Sequence, residues 1–158
     1  MSERIVVNTG PLIVLARIGA LDVVGQLPHH FISPDAVRAE LDKGESAGHP
    51  RIFPLWLEVL PLMEPPSPMI LAALDLGEAA VIQLALEQKV RTVCIDEWKG
   101  RRAALATGLK VTGVLGLLGR SKKAGIIDAV RPFVERALHS GVRYHPDLVR
   151  KVLESLGE

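Results

Sequence analysis

The sequence is poor in features that mark several classes of protein. Its 158 residues include one cysteine, Cys94, so the chain cannot form an internal disulfide framework, and a reducing cytoplasm is the expected location. Aromatic residues make up only 4% of the chain, and the formal net charge is +1. A nearly neutral chain has no general attraction for nucleic acid. Any binding of nucleic acid must therefore come from a local patch.

Long apolar runs are missing as well. No stretch approaches the roughly 20 apolar residues that a membrane-spanning helix needs, and the charged start of the chain is not followed by a signal-peptide pattern. We therefore expect a soluble protein that does not bind a membrane. Its hydrophobic content of 48% is nevertheless typical of a globular protein. With so few aromatic residues the core must be aliphatic, as in helices packed on a parallel sheet.

Short β-rich runs alternate with helix-favouring segments along the chain. The pattern predicts strands at 4–7, 31–32, 57–62, 92–95 and 109–113. It predicts helices at 12–17, 21–27, 34–43, 69–74, 78–88, 98–107, 114–123, 128–139 and 146–156, with Ser33 as the N-cap of the third helix and an exposed loop at 44–54. We expect one α/β domain over residues 1–158, a three-layer α/β/α sandwich with a central parallel sheet. The helices from about residue 126 pack either on its core or on a partner.

An acidic pair, Asp96 and Glu97, follows the most apolar strand directly. Right-handed crossovers bring the ends of parallel strands to one edge of the sheet, where open α/β sheets bind ligands, so Asn8, Asp96 and Thr112 are expected there together. Two adjacent carboxylates repel each other unless a cation or protons neutralise them. Mg²⁺ or Mn²⁺ accepts such oxygen ligands. Alternatively, Asp96 caps the next helix and Glu97 occupies its first turn.

Two further glutamates lie on apolar faces of predicted helices. Glu40 falls on the buried face of its helix, and Glu78 follows Gly77 at the start of another apolar helix. Gly77 would let the backbone pass close to a site into which Glu78 points. The alternatives are that Glu40 reaches solvent or pairs with Lys43, and that Glu78 only complements the helix dipole.

Asn8 stands where an aspartate would complete an acidic ring. Its amide oxygen can bind a metal weakly but adds no charge, and its alternative role is an Asx turn or a helix cap. Lys99, Arg101 and Arg102 form a basic cluster just beyond the acidic pair. Such a cluster binds phosphate groups or is simply a solvated helix face.

Taken together, these motifs resemble a PIN domain of the VapC-like toxin type. The resemblance runs from about residue 5 to 125 and rests on Asn8-Thr9-Gly10-Pro11-Leu12, Glu40, Gly77-Glu78-Ala79, Asp96-Glu97, Gly100-Arg101-Arg102 and Lys110-Val111-Thr112-Gly113. It implies a ribonuclease that uses Mg²⁺ or Mn²⁺, is usually a homodimer, and is often neutralised by a small antitoxin protein. The matching acidic positions are Asn8, Glu40, Glu78 and Asp96, the first of which is an aspartate in that family.

The resemblance and the residue chemistry lead to one set of expectations. The catalytic acids are expected to be Glu40, Glu78 and Asp96; the metal ligands Asn8, Asp96 and Glu97; and the RNA contacts Lys99, Arg101, Arg102 and Thr112. The expected function is metal-dependent hydrolysis of RNA phosphodiester bonds, with the toxin of a toxin–antitoxin pair as one role. Because Asn8 replaces an acidic ligand, a catalytically impaired module that binds RNA or a protein stays open as the alternative.

Overall fold

The computed structural model of the protein describes residues 2–158, so Met1 of the expected domain lies outside the described residues. A five-stranded, all-parallel sheet with the order β3-β2-β1-β4-β5 forms its centre. The strands are β1 (Glu3–Val7), β2 (His29–Pro34), β3 (Leu57–Leu60), β4 (Thr92–Cys94) and β5 (Lys110–Thr112). The predicted α/β/α sandwich with a central parallel sheet is therefore confirmed.

Helices fill the connections between the strands and the segment after β5. They are α1 (Thr9–Arg17), α2 (Leu21–Gly25), α3 (Asp35–Ser46), α4 (Pro68–Ala73), α5 (Leu76–Glu87), α6 (Trp98–Ala106), α7 (Val114–Lys123), α8 (Arg131–His139) and α9 (Pro146–Ser155). No helix within residues 2–158 is long and apolar enough to cross a membrane.

The three central strands carry the core because both of their faces are covered. Ile5, Val6, Ile32 and Val93 are completely buried, as expected for β-branched residues of a parallel sheet. The register pairs Val7 with Cys94 and Cys94 with Thr112. The predicted meeting of the strand ends at one edge of the sheet is thus confirmed.

Ser33 does not cap α3, contrary to the sequence prediction. It lies within β2, is fully buried, and donates its hydroxyl hydrogen bond to the Val7 carbonyl at 2.6 Å. Pro34 occupies the N-cap position instead, and the helix runs from Asp35 three residues beyond the predicted end. Ser33 was misassigned because the turn from strand to helix comes one residue later than the Ser-Pro pair indicates. The hydroxyl instead ties β1 to β2 next to the strand ends.

The last two helices contact the body of the described chain. Val134 and Ala137 of α8 and Leu153 of α9 are buried in the same apolar cluster as the sheet. Arg136 donates to the Ile18 carbonyl at 3.0 Å, and Lys122 donates to the Leu156 carbonyl at 2.7 Å. These bonds fix both helices relative to α1 and α7. Helix α8 begins at Arg131, three residues later than predicted.

Candidate active site

An acidic cleft of about 230 Å³ opens at the carboxyl end of the sheet. It receives side chains from the ends of β1 and β4 and from α1, α3 and α5. Its lining residues are Asn8, Thr9, Gly10, Pro11, Ile13, Glu40, Asp75, Glu78, Asp96 and Glu97. The structure therefore brings together Asn8, Glu40, Glu78, Asp96 and Glu97, which the sequence pattern selected.

Asp96 is fixed on one side and open on the other. Its Oδ1 accepts a hydrogen bond from the Val114 N–H at 3.0 Å, while Oδ2 is buried without a hydrogen-bond partner among the described residues. Asp96 thus caps α7. The alternative drawn from the sequence, that Asp96 caps the next helix α6, was therefore wrong. Burial raises the pKa of Asp96, and the Val114 bond and nearby Arg101 act against that rise. A Cβ on Gly113 would overlap Asp96 Oδ1, so a glycine is needed there.

Glu78 enters the cleft from the first turn of α5. The Glu78 N–H donates to Asp75 Oδ1 at 2.8 Å, which makes Asp75 the N-cap of the helix. Glu78 is only 5% exposed, and its Oε2 has no hydrogen-bond partner among the described residues. Burial, reinforced by Asp75, raises the pKa of Glu78 to about 7. Near neutral pH this carboxyl is therefore protonated in part of the molecules, and a bound cation would favour its ionised form.

Asn8 occupies the N-cap position of α1, yet its side chain makes no capping hydrogen bond. Its Oδ1 is buried and lacks a partner, as does the adjacent Thr9 hydroxyl, within the part of the chain that the structure describes. The Asn8 N–H is used in the sheet, where it donates to the Cys94 carbonyl at 3.0 Å. The alternative role of Asn8 as a helix cap is thus confirmed for its position but not for its side chain, whose amide oxygen remains available to a ligand.

Glu40 and Glu97 complete the acidic wall. Glu40 is exposed as a residue, but its carboxylate lies against Gly77, where a Cβ would overlap Oε1. This partial burial raises the pKa of Glu40. No ion pair joins it to Lys43 in the described residues. Glu97 is exposed at the N-cap position of α6 and makes no capping bond.

The donor set of the cleft fits a small, hard cation. Three buried carboxyl or amide oxygens lack hydrogen-bond partners among residues 2–158, and all three side chains line the cleft: Asn8 Oδ1, Glu78 Oε2 and Asp96 Oδ2. Two buried hydroxyls also lack partners among these residues, that of Thr9 in the cleft and that of Tyr144 outside it. Uncompensated buried polar atoms are costly, so they indicate a missing ligand. Within the described residues no three His, Cys, Asp or Glu side chains stand close enough to hold a metal ion by themselves. Mg²⁺ keeps several waters and needs only one or two direct carboxylates.

The predicted RNA contacts lie outside the cleft lining. Lys99 and Arg102 are exposed on α6, and Thr112 is buried with its hydroxyl close to Gly116. Arg101 turns inward and donates to the Ile95 carbonyl at 2.8 Å and to the Thr112 carbonyl at 3.4 Å. Arg101 therefore fixes the two strand ends beside Asp96.

Two polar residues of the cleft, Thr9 and Asp75, were not among the site residues selected from the sequence. Asp75 has a recognisable signal, because Asp75-Leu76-Gly77-Glu78 has the spacing of a capping box. The pattern could have placed Asp75 next to Glu78. Thr9 lies in the motif Asn8-Thr9-Gly10-Pro11-Leu12, but a threonine after a strand is equally compatible with a surface turn, so the motif gave it no role of its own.

A comparison with protein families agrees with this architecture. A family model described as a PIN domain matches residues 4–158, nearly the whole chain. A search of curated proteins finds no match. The all-parallel sheet and the acidic cleft at its carboxyl end are consistent with the family match. The chain belongs to the PIN-domain family.

Proposed function

We propose that the protein is a divalent-metal-dependent ribonuclease that hydrolyses phosphodiester bonds in single-stranded or structured RNA. Membership of the PIN-domain family points to a nuclease fold that generally acts as a metal-dependent ribonuclease. One observation carries the proposal for this chain: three buried oxygens without partners, on Asn8, Glu78 and Asp96, belong to a single acidic cleft. A structural role alone would leave their desolvation uncompensated.

The residues of the cleft divide the chemistry between them. Asp96 and Asn8 would hold Mg²⁺ or Mn²⁺ together with Glu97, and the ion would lower the pKa of a bound water and neutralise charge on the phosphate. Asp96 is oriented for this by the Val114 N–H. Glu78 and Glu40 face the same space, and a carboxyl with a raised pKa can take a proton from a nucleophile near neutral pH.

Cleavage of a mixed-sequence single-stranded RNA tests the proposal. The purified protein is incubated with Mn²⁺, Mg²⁺ or a chelator, next to Asp96→Asn and to Asp128→Asn, a matched change of an exposed acid outside the cleft. We expect metal-dependent cleavage by the wild type and by Asp128→Asn that is lost in Asp96→Asn. Equal cleavage by Asp96→Asn, or no cleavage by folded protein with either metal, would contradict the proposal.

Asn8 favours a second candidate, a catalytically impaired module that binds RNA or a protein. A neutral amide at this position supplies an oxygen but no charge, so the metal is held less strongly than by an aspartate. Asn8→Asp distinguishes the two candidates. A large gain in Mn²⁺ affinity and in cleavage over an inactive wild type indicates an impaired enzyme, whereas strong cleavage by the wild type rules out the binding-only candidate.

We extend the proposal to the role of a toxin in a toxin–antitoxin pair and to a homodimer. Both are supported only by the resemblance of the motifs. Expression of a ribonuclease toxin should arrest growth of a bacterial host. The arrest should disappear with Asp96→Asn and should persist with Asp128→Asn. Growth that is unaffected by a folded, RNA-cleaving wild type would argue against the toxin role and leave the ribonuclease in place.

A further inference from the structure

We infer that the groove between α1 and α3 is a subsite for the RNA nucleotide next to the scissile phosphate, with Arg17 and Arg51 as its phosphate contacts. This inference rests on the proposed function, because it names where the substrate of that same cleft lies. Three observations carry it: the groove continues the acidic cleft, its floor is apolar, and its rim is basic.

The groove and the acidic cleft are continuous. The groove measures about 400 Å³ and lies between α1, α3 and the segment 49–52. Ile13 and Glu40 line both the groove and the cleft. A chain that occupies the groove therefore passes Ile13 and Glu40 on its way to the oxygens of Asp96 and Glu78.

The floor of the groove suits the flat face of a base. It is formed by aliphatic side chains, namely Ile13, Ala16, Leu21, Leu41 and Ile52. Binding sites for small ligands have volumes of roughly 300–1,000 Å³ and are mostly apolar with a few polar groups. The volume and the apolar floor of the groove therefore match one nucleotide.

The rim of the groove supplies the positive charge that the cleft lacks. Arg17, His49 and Arg51 line it, and all three are exposed. The guanidinium of Arg51 lies 5.0 Å from the ring centre of Phe53, which holds it in place. No ion pair within the described residues involves Arg17 or Arg51. Both guanidinium groups therefore remain available to phosphate.

Charge also explains why such a subsite is needed. The cleft contains five carboxylates and by itself repels a polyanion. RNA must therefore gain its affinity from cations beside the cleft. Lys99 and Arg102 lie on the exposed surface of α6, and neither lines the cleft or this groove. The groove combines cations with a concave surface that leads into the cleft.

The test is binding of a fluorescein-labelled single-stranded RNA in chelator, so that the RNA stays intact. The double variant Arg17→Ala/Arg51→Ala is compared with Arg91→Ala/Arg143→Ala, which removes the same charge at two exposed arginines outside the groove. We expect the groove variant to bind at least about tenfold more weakly. The slope of log affinity against log salt should fall by about 1.4, since each phosphate contact on a single strand contributes about 0.7.

Two further variants separate charge from shape. Arg17→Lys/Arg51→Lys keeps the positive charge and should recover most of the affinity. Ala16→Leu narrows the groove and should change the preference for the base next to the cleaved bond, or weaken RNA binding where no cleavage occurs. Circular dichroism and thermal unfolding establish that each variant is folded.

The outcomes separate this inference from the proposed function. Wild-type cleavage together with unchanged binding by the groove variant overturns the subsite and leaves the ribonuclease standing. Weakened binding by the groove variant alone, with no cleavage by any variant, supports the groove as an RNA-binding site but overturns both the ribonuclease and a position next to a scissile phosphate. No RNA binding by the wild type overturns both. A protein partner that binds the groove variant less well, while RNA binding is unaffected, also overturns the subsite.

Discussion

At the amino end of the sheet Glu3 pairs with Arg120 at 2.6 Å and accepts a hydrogen bond from Thr92, whereas at the carboxyl end Glu78 and Asp96 each leave one buried oxygen unpartnered in the described chain. Partial burial by itself would raise the pKa of Glu3. The hydrogen bonds from Arg120 and Thr92 outweigh it and hold that pKa below its ordinary value. Burial raises the pKa of Glu78 and Asp96. The sheet thus has a paired acid at its amino end and unpaired acids beside its carboxyl end.

This difference shows which acids serve stability and which serve another purpose. A carboxylate that is paired in the folded state stabilises it, while one that is buried without a partner costs free energy of folding. Glu158 repeats the paired arrangement, since it accepts hydrogen bonds from Lys122 and from the Val130 and Arg131 N–H groups. The unpaired acids gather in one place, and that place is the cleft.

The largest effect is expected from Glu78→Gln. Loss of the ionisable group should reduce RNA cleavage at least about 100-fold, the usual contribution of a proton-transferring group. Glu87→Gln is a matched control on the same helix, because Glu87 accepts hydrogen bonds from the Met63 and Glu64 N–H groups outside the cleft. Initial rates with Mn²⁺ measure both variants. Equal losses in the two would remove the distinction between paired and unpaired acids.

Gly113→Ala should come next in size. The added Cβ would overlap Asp96 Oδ1 and displace the carboxylate from the Val114 N–H. A displacement of about 1 Å is enough to reduce a rate by about 100-fold. Gly44→Ala in α3 meets no atom within 4 Å and should instead stabilise the helix by about 0.5–1 kcal/mol; because Gly44 lines the groove, this variant is a control for stability only. Unfolding midpoints check both variants and cleavage rates check Gly113→Ala, whose full activity would show that the position of Asp96 does not affect cleavage.

A moderate effect is expected from pH on the metal-free protein. The folded-state pKa of Glu78 is raised from 4.5 to about 7, so the folded state binds more protons than the unfolded state over that range. This contribution to stability is present below about pH 4.5 and is lost as the pH rises through 7. In chelator, the midpoint of thermal unfolding should fall by about 4 °C or more between about pH 5 and 8. Glu78→Gln should make the unfolding midpoint less dependent on pH. The same dependence in Glu78→Gln and in the wild type would contradict a raised pKa of Glu78.

The smallest effect is expected from Glu3→Gln at the amino end of the sheet. Its pair with Arg120 is partly exposed, with side-chain exposures of 39% and 33%, and such pairs contribute about 0.2–1 kcal/mol. Chemical denaturation should therefore show a small loss of stability, and the RNA cleavage rate should not change. A reduced cleavage rate would mean that the two ends of the sheet are coupled.

Much of this architecture could be predicted from the sequence, because the strands are short, apolar and separated by helices. The juxtaposition of Asn8 and Asp96 followed from parallel topology alone, since the ends of parallel strands meet at one edge. Gly77 before Glu78 also predicted a close approach, and the structure shows it against Glu40. These features depend on periodicity and chain direction, which a sequence displays directly.

Hydrogen-bond partners distant in sequence could not be predicted. Ser33 donates across strands to Val7, and Asp96 caps a helix that begins 18 residues later. Arg101 was expected to face RNA, yet its guanidinium donates to the Ile95 carbonyl, and whether it also contacts RNA stays a prediction. Local patterns assign a polar side chain to its neighbours in sequence, whereas tertiary packing supplied these partners.

A titration with Mn²⁺, followed by electron paramagnetic resonance, tests the central claim most directly. The account predicts saturable Mn²⁺ binding by the wild type near pH 7.5, retained in Glu3→Gln and weakened at least about tenfold in Asp96→Asn. Such a result would show that the unpaired oxygens of the cleft form a cation-binding site. The absence of saturable binding by the wild type, or equal binding by Asp96→Asn, would contradict the account.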